Sequence, residues 1–311
     1  MVDFVALCWG GEMEKAAAFA TANPQELDAS RLQMAFNSAC IMGHLPVAQW
    51  LADRMDPEAV DVGISFPTAC EEHFELAQWM AERFAPTVAG ARCFDALHRC
   101  CRAGHLERVK WIAERFGMSR KSLRDGSLRL FQGACEKGHV DIARWLAERF
   151  EISPEYSRSR ECAVQALRLA CENGQVEVAR WLVERYSMTV EDARRVSALC
   201  QIGDLRCAQW FVEQFGLTVE DVREDFGCVF RFACFFGRLE LAQWLAERFE
   251  LTAEDARQLN GHALLAAYEN GHFETAQWLV DYFELTADEI EPYPLLHPAM
   301  GPLVKSAGKT A

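Results

Sequence analysis

The stretch Leu239-Glu-Leu-Ala-Gln-Trp-Leu-Ala-Glu-Arg-Phe249 decides the fold, because the chain repeats it along its length. Its apolar residues recur three or four positions apart, as Leu241, Trp244 and Leu245 do, and polar residues occupy the other side. This spacing predicts an amphipathic helix. Further versions of the stretch occupy residues 43–55, 73–84, 104–116, 138–150, 174–186, 203–215 and 271–283. Self-similarity at such a period predicts a repeat architecture.

Each repeat is predicted to be a pair of helices joined by a tight turn. Residues 230–234, which precede the quoted stretch, carry apolar residues at helical spacing and end in the small pair Ala233 and Cys234. Gly237 lies between the two segments, where helices commonly end in a conformation that glycine adopts most easily. Marker tryptophans, 29 to 36 residues apart, count the units: Trp50, Trp79, Trp111, Trp145, Trp181, Trp210, Trp244 and Trp278. Because one hairpin cannot bury its own apolar stripe, neighbouring units must stack.

A further recurring piece follows the second helix of several repeats. Thr189, Thr218 and Thr252 each begin the pattern Thr-x-Glu-Asp. A threonine followed three residues later by an acidic residue predicts a helix N-terminus, because the hydroxyl and the carboxylate satisfy backbone N–H groups there. These connections between repeats are therefore predicted to contain a short third helical turn.

One unit shows the pattern of a known family. Residues 95–112 read Asp95-Ala-Leu-His-Arg-Cys-Cys-Arg-Ala-Gly-His-Leu-Glu-Arg-Val-Lys-Trp-Ile112. This resembles the ankyrin-repeat pattern Thr-Pro-Leu-His-x-Ala-Ala-x-x-Gly-His-x-Glu-x-Val-Lys-x-Leu, and the resemblance covers roughly residues 1–290. It implies an all-α, right-handed helical-repeat solenoid. The segment that builds the β-hairpin fingers of the family is replaced by the Thr-x-Glu-Asp turn, so short helical turns are expected in place of fingers.

The repeats are expected to form one array over residues 1–291, with about nine units of which the first and last are atypical. Residues 292–311 are rich in proline, which cannot continue a helix, and form a partly flexible tail in this interpretation. No signal-peptide pattern opens the chain, and no apolar run is long enough to span a membrane. The sequence therefore predicts neither secretion nor membrane insertion.

The thirteen cysteines indicate packing and not disulfide bonds. Eight occupy one repeat position: Cys8, Cys40, Cys70, Cys101, Cys135, Cys171, Cys200 and Cys234. Copies of one position lie about one helix spacing apart, roughly 10 Å, which is too far for a disulfide. Free cysteine behaves as a small buried hydrophobe. We expect a reducing, intracellular location, the cytoplasm first, with the nucleus or a host cell left open.

No catalytic or cofactor motif stands out. Cys93, His98, Cys100, Cys101 and His105 form the only local cluster of metal-ligating residue types, but several of them occupy ordinary repeat positions. The Gly-His histidines likewise recur as part of a turn. There is no phosphate-binding glycine loop, no His-Glu-x-x-His and no nucleophile elbow. We therefore expect no enzyme, no metal and no cofactor, with a cysteine/histidine metal site as an alternative.

The two positions after the repeated cysteine provide the candidate binding site. They are mostly polar, as in Glu136-Lys137 and Glu172-Asn173, so the fold does not require apolar side chains there. Several units nevertheless carry apolar ones, and two arginines on the same helices are further candidates; the set is Trp9, Ile41, Met42, Arg168, Ile202, Arg231, Phe235 and Phe236. In the ankyrin family these positions border the concave face. Packing beneath a neighbouring connection is the alternative role.

The predicted function is a monomeric, non-enzymatic scaffold or adaptor that binds another protein through the concave face. Exposed apolar anchors and a rigid stack favour protein binding. The second alternative is a helical-repeat protein that binds nucleic acid. The net charge of −14 argues against it, because phosphate binding depends on basic patches.

Overall fold

The computed structural model describes residues 3–89, 91–123, 126–197, 204–221 and 227–285. Within these ranges every regular element is a helix, which confirms the predicted all-α helical-repeat fold. The chain divides into two compact units, Met1–Ile152 and Ser153–Ala311. The proposed tail, residues 292–311, lies outside the described residues, so the division into a single array and a tail stays a prediction.

The first unit consists of stacked helical hairpins. Its helices are α1 Phe4–Trp9, α2 Met13–Ala22, α3 Ala29–Ile41, α4 Leu45–Ala52, α5 Phe66–Glu72, α6 Phe74–Phe84, α7 Cys93–Ala103, α8 Leu106–Arg115, α9 Arg120–Leu123, α10 Gly126–Lys137 and α11 Val140–Arg149, with a 3-10 turn at Pro24–Glu26. The first helices α1, α3, α5, α7 and α10 pack side by side in that order, and each also packs against the second helix that follows it. Neighbouring hairpins therefore share a continuous core.

The second unit repeats this arrangement. Its helices are α12 Ser157–Glu172, α13 Val176–Tyr186, α14 Val190–Ser197, α15 Leu205–Phe215, α16 Val219–Asp221, α17 Gly227–Phe235, α18 Leu239–Arg248, α19 Ala253–Glu269 and α20 Phe273–Tyr282. The first helix α17 packs against the first helix α19, while the second helices α13, α15 and α18 pack in sequence. The stacking inferred from the sequence is thus present in both units.

The Thr-x-Glu-Asp segments cap helices as predicted, but they do not all form a separate turn. Asp255 accepts a hydrogen bond from the backbone N–H of Thr252 and one from its hydroxyl, and the hydroxyl accepts one from the backbone N–H of Asp255. This capping box opens the 17-residue helix α19 directly. At Thr218 the helical residues that the structure describes after the cap are Val219–Asp221 of α16.

The described cysteine side chains are buried, which confirms their prediction as small apolar core residues: Cys8, Cys40, Cys70, Cys93, Cys100, Cys101, Cys135, Cys162, Cys171, Cys207 and Cys234. Burial raises the pKa of the Cys93 and Cys100 thiols to about 12. A thiol with so high a pKa is protonated at neutral pH and is a poor nucleophile. Cys200 lies outside the described residues.

The Gly-His turns join consecutive repeats, and this explains why both residues recur. The Nε2 atom of His139 lies 3.0 Å from the carbonyl oxygen of Arg102, near the end of the preceding first helix. The same contact joins His44 to Trp9 at 3.0 Å. The histidine ring also covers the glycine of the preceding turn: Gly104 has a φ of 83°, and a Cβ added there would lie 2.6 Å from the His139 ring. The structural role predicted for these histidines is confirmed at these turns.

One junction lacks the glycine and uses a different side chain. The first helix α5 ends at Glu72, where the sequence has Glu72-His73 in place of Gly-His. Here the Nη1 atom of Arg108, on the second helix α8, donates to the carbonyl oxygens of Cys70 and Glu71. An arginine can therefore satisfy the helix end that a histidine satisfies elsewhere.

Arginines recur near the ends of the second helices, as Arg115 and Arg149 do. They are exposed, but two of them also link repeats. Arg115 Nη2 donates to the carbonyl oxygen of Ala81 at 2.9 Å, and Arg149 Nη2 donates to that of Met118 at 2.9 Å. A carbonyl near the end of the preceding second helix or in the turn after it thus finds a partner in the next repeat.

Candidate functional site

The candidate residues that the structure describes lie at the ends of first helices and on the surface. Trp9 and Phe235 are the last residues of α1 and α17, and Met42 and Phe236 directly follow α3 and α17. The exposed fraction is 48% for Trp9, 39% for Met42 and 37% for each phenylalanine. Ile41 is half-buried. Ile202 lies outside the described residues, and its role stays a prediction.

In the middle of the first unit the same positions hold an ion-pair network. Arg102 follows Cys101 and forms two hydrogen bonds to Glu136, the residue after Cys135, with N–O distances of 2.7 and 3.1 Å. Arg99 binds Glu71 of the preceding repeat at 2.7 Å. Partial burial alone would raise the pKa of Glu136, but hydrogen bonds from Arg102 and Lys137 hold this pKa below its ordinary value. Here each repeat presents charges that its neighbour neutralises.

In the second unit the corresponding turn holds an aromatic cluster, formed by Phe232, Phe235 and Phe236. The ring centroids of Phe235 and Phe236 are 4.9 Å apart, and Phe232 lies 6.3 and 6.5 Å from them. Two arginines flank the cluster: the Arg231 guanidinium lies 5.5 Å from the Phe232 ring and that of Arg238 lies 5.5 Å from the Phe236 ring. Both distances are typical of cation–π contacts.

A groove runs beside this cluster between α17 and α19. It is lined by Arg231, Phe232 and Phe235 from α17 and by Leu265, Ala266 and Glu269 from α19, and its volume is about 280 Å³. Of the predicted residues, the structure brings Arg231 and Phe235 together in this groove, and Phe236 joins them through the aromatic cluster. Trp9, Ile41 and Met42 belong to the first unit and do not line it.

Sequence reasoning missed four groove residues, Phe232, Leu265, Ala266 and Glu269. Phe232 could have been found, because it lies three and four positions before Phe235 and Phe236 and therefore shares their side of the helix. The residues of α19 required knowledge of which helix packs against α17. The packing of α19 against α17 is a tertiary contact, and the sequence of α17 alone does not predict it.

Arg168 and Arg231 occupy the same position, three residues before the repeated cysteine, yet their surroundings differ. Arg168 Nη1 lies 2.5 Å from Glu172 Oε1, and its Nε donates to Gln165 at 3.1 Å. In α17 the residue four positions after the arginine is Phe235 and not a glutamate. No ion pair joins Arg231 to any residue that the structure describes.

The rest of the described surface offers little else for chemistry. No three or more His, Cys, Asp or Glu residues converge into a possible metal site in the described ranges. Cys93, Cys100 and Cys101 of the sequence cluster are buried. Burial, followed by the charges of Arg102 and Arg129, lowers the pKa of His98. Across the described ranges no helix combines the length and apolar character needed to cross a membrane.

The fold and this surface define an all-α helical-repeat protein with an exposed aromatic groove. The family model for ankyrin repeats (3 copies) matches residues 97–193 of the chain. This match supports the resemblance to the ankyrin-repeat family that the Gly-His turns predicted. Ankyrin repeats are generally protein–protein interaction modules. A search among curated proteins finds no match.

Proposed function

We propose that this protein is a non-enzymatic adaptor that binds another protein through the face on which the first helices end. The observation that carries the proposal is the exposed aromatic cluster beside the groove, at positions where sister repeats carry ion pairs. Because Arg102 and Glu136 satisfy the fold at the equivalent turn, Phe235 and Phe236 are not required there for folding. Aromatic side chains are enriched among residues that dominate binding energies.

The repeat architecture supports this proposal on physical grounds. Side chains of consecutive first helices are held by buried apolar contacts and by contacts such as the His139–Arg102 bond. A surface that is rigid before binding loses little conformational entropy when a partner binds. In the ankyrin family this side of the repeats borders the concave face, so we assign binding to that face. Trp9, Ile41 and Met42 would provide contacts to a partner in the first unit, considered by itself.

The cellular setting is part of the proposal. Buried thiols such as Cys40 and Cys70 fit a reducing compartment, and we place the protein in the cytoplasm as a monomer. The acidic balance of the chain disfavours nucleic acid as its partner.

A selection from a displayed library of short random peptides tests the proposed binding face. The full chain is the bait, and each enriched peptide is then titrated against wild type, the double variant Phe235→Ser/Phe236→Ser and the control Phe273→Ser. Phe273 is a matched control because it is aromatic, is 56% exposed and opens the second helix α20. We expect the double variant to lose peptide binding at least about tenfold, while the control binds like wild type.

Thermal unfolding of the same three proteins shows whether a loss of peptide binding is caused by a loss of the fold. The two phenylalanines pack mainly on each other and on Phe232, so we expect the double variant to remain folded at the temperature of the titration. Phe235→Glu is a second variant that removes only one ring. Peptides that bind all folded variants equally would show that this face is not the binding site.

A further inference from the structure

We propose that the groove between α17 and α19 binds an acidic peptide segment of the partner protein, in which a carboxylate stands beside a bulky apolar side chain. Arg231 would bind the carboxylate, and the aromatic cluster would hold the apolar side chain. This inference rests on the proposed function, because it names the partner chemistry of the same site.

Arg231 differs from the other arginines near the ends of the first helices. Arg99, Arg102 and Arg168 each have a carboxylate partner, with N–O distances of 2.7, 2.7 and 2.5 Å. For Arg168 that carboxylate is Glu172, one helical turn away. In α17 the equivalent position is Phe235. This helix therefore carries an apolar side chain at the position where α12 carries the carboxylate of Glu172. The substitution thus creates the apolar wall of the groove and leaves the guanidinium available to an external carboxylate.

The charges that surround the groove favour an acidic ligand. Arg231 and Arg238 both stand against rings of the aromatic cluster, and a buried nitrogen of Arg238, Nη1, has no hydrogen-bond partner among the described residues. Glu269 is the acidic residue in the groove lining, and it is exposed at the end of α19. No ion pair joins it to Arg231. Because exposed charges are strongly screened, the two arginines held against rings outweigh Glu269.

The size of the groove fits a peptide anchor. Pockets for small organic ligands span about 300–1,000 Å³, and this groove is open and has a volume of about 280 Å³. It therefore accommodates one or two side chains of a longer chain. An arginine beside such an anchor can bind a carboxylate through two parallel hydrogen bonds, which gives orientation as well as affinity.

The test uses the peptides enriched in the library selection. Each is compared with a version in which Asp and Glu are replaced by Asn and Gln, on wild type, Arg231→Ala and the control Arg99→Ala. We expect the enriched pool to contain acidic residues next to bulky apolar ones. The amide version should bind wild type about tenfold more weakly, because a charge-assisted contact is lost. Arg231→Ala should abolish this difference, and Arg99→Ala should preserve it.

Three outcomes would overturn the inference. The first is a set of selected peptides enriched in Lys and Arg, which would mean that Glu269 binds a basic segment in the groove. The second is equal binding of acidic and amide peptides. The third is self-association of the chain in sedimentation that Arg231→Glu removes, which would make a second copy the occupant. If Phe235→Ser/Phe236→Ser still abolishes binding in the first two cases, the proposed binding face stands and only the acidic partner is rejected.

Discussion

The turns after α7 and α10 are equivalent to the turn after α17 in the repeat, but their exposed side chains differ. The first two carry charged residues, and the third carries aromatic ones. In the first region Arg102 and Glu136 neutralise each other across two repeats. In the second, Phe235 and Phe236 pack in contact with each other and remain 37% exposed. The two regions share the buried cysteine and the glycine turn. This contrast indicates that the fold requires the repeated cysteine and the turn glycine. The positions between these two residues can vary and are available for binding.

The largest effect should come from breaking what the two regions share. Gly104 and Gly237 both have positive φ, and the ring of His139 or His272 from the next repeat occupies the space of a Cβ. We expect Gly104→Ala and Gly237→Ala each to lower the free energy of unfolding by about 3 kcal/mol, because backbone strain and overpacking add. Urea denaturation of the full chain measures this loss for each variant.

The matched controls for these variants are Gly117→Ala and Gly216→Ala. Both glycines have positive φ, of 57° and 60°, but nothing lies within 4 Å of an added Cβ. Only backbone strain is then introduced, and the expected loss is about 1 kcal/mol. Equal losses at all four positions would show that the histidine rings move aside without cost and that the contact between repeats is weak.

A smaller effect should separate the regions by their response to pH. Hydrogen bonds from Arg102 and Lys137 outweigh desolvation and hold the pKa of Glu136 below its ordinary value of 4.5. A depressed carboxyl pKa adds stability above the unfolded-state pKa, and this stability is lost as the pH falls through the folded-state pKa. We expect Glu136→Gln to lower the free energy of unfolding by less than about 1 kcal/mol at pH 7, because the pair is partly exposed.

This difference between Glu136→Gln and wild type should shrink as the pH falls below 4.5, the ordinary pKa of glutamate. Urea denaturation across the acid range measures it. The Phe235→Ser/Phe236→Ser variant is the contrast, because it removes no titratable group, so its difference from wild type should stay constant. A Glu136→Gln difference that is independent of pH would mean that the ion pair contributes nothing to stability.

Features that recur in several repeats could be predicted from the sequence, whereas features of a single repeat could not. The buried cysteines and the turn histidines were predicted because their repetition marks them as structural. The bond from Arg108 to the end of α5 was missed, since it compensates for a glycine lost in one unit only. The groove itself was not predicted: its wall residue Phe235 was among the candidates, but Leu265 was not, because it enters through the packing of α19.

The different surroundings of Arg168 and Arg231 could have been predicted from the sequence. Arg168 and Arg231 were both candidates because they lie on the same helices as the positions after the repeated cysteine. The residue four positions later distinguishes them, since Glu172 can form an ion pair and Phe235 cannot. That difference is legible in the sequence once the i, i+4 neighbour is considered. The exposure of Phe235 and the opening of the groove, in contrast, depend on how α17 and α19 pack.

The smallest effect on stability is expected from a substitution that gives α17 the ion pair found in α12. In Phe235→Glu the introduced carboxylate stands four residues after Arg231, as Glu172 does after Arg168. The matched control is Phe235→Gln, which removes the same ring without adding charge. We expect Phe235→Glu to be more stable than this control by about 0.3–0.5 kcal/mol at low salt, and equally stable at high salt, where surface pairs are screened. Repeating both substitutions in an Arg231→Ala background should cancel the difference. A difference that persists there would mean that the new carboxylate binds elsewhere, and that the loss of this ion pair is not what separates α17 from its sister helix.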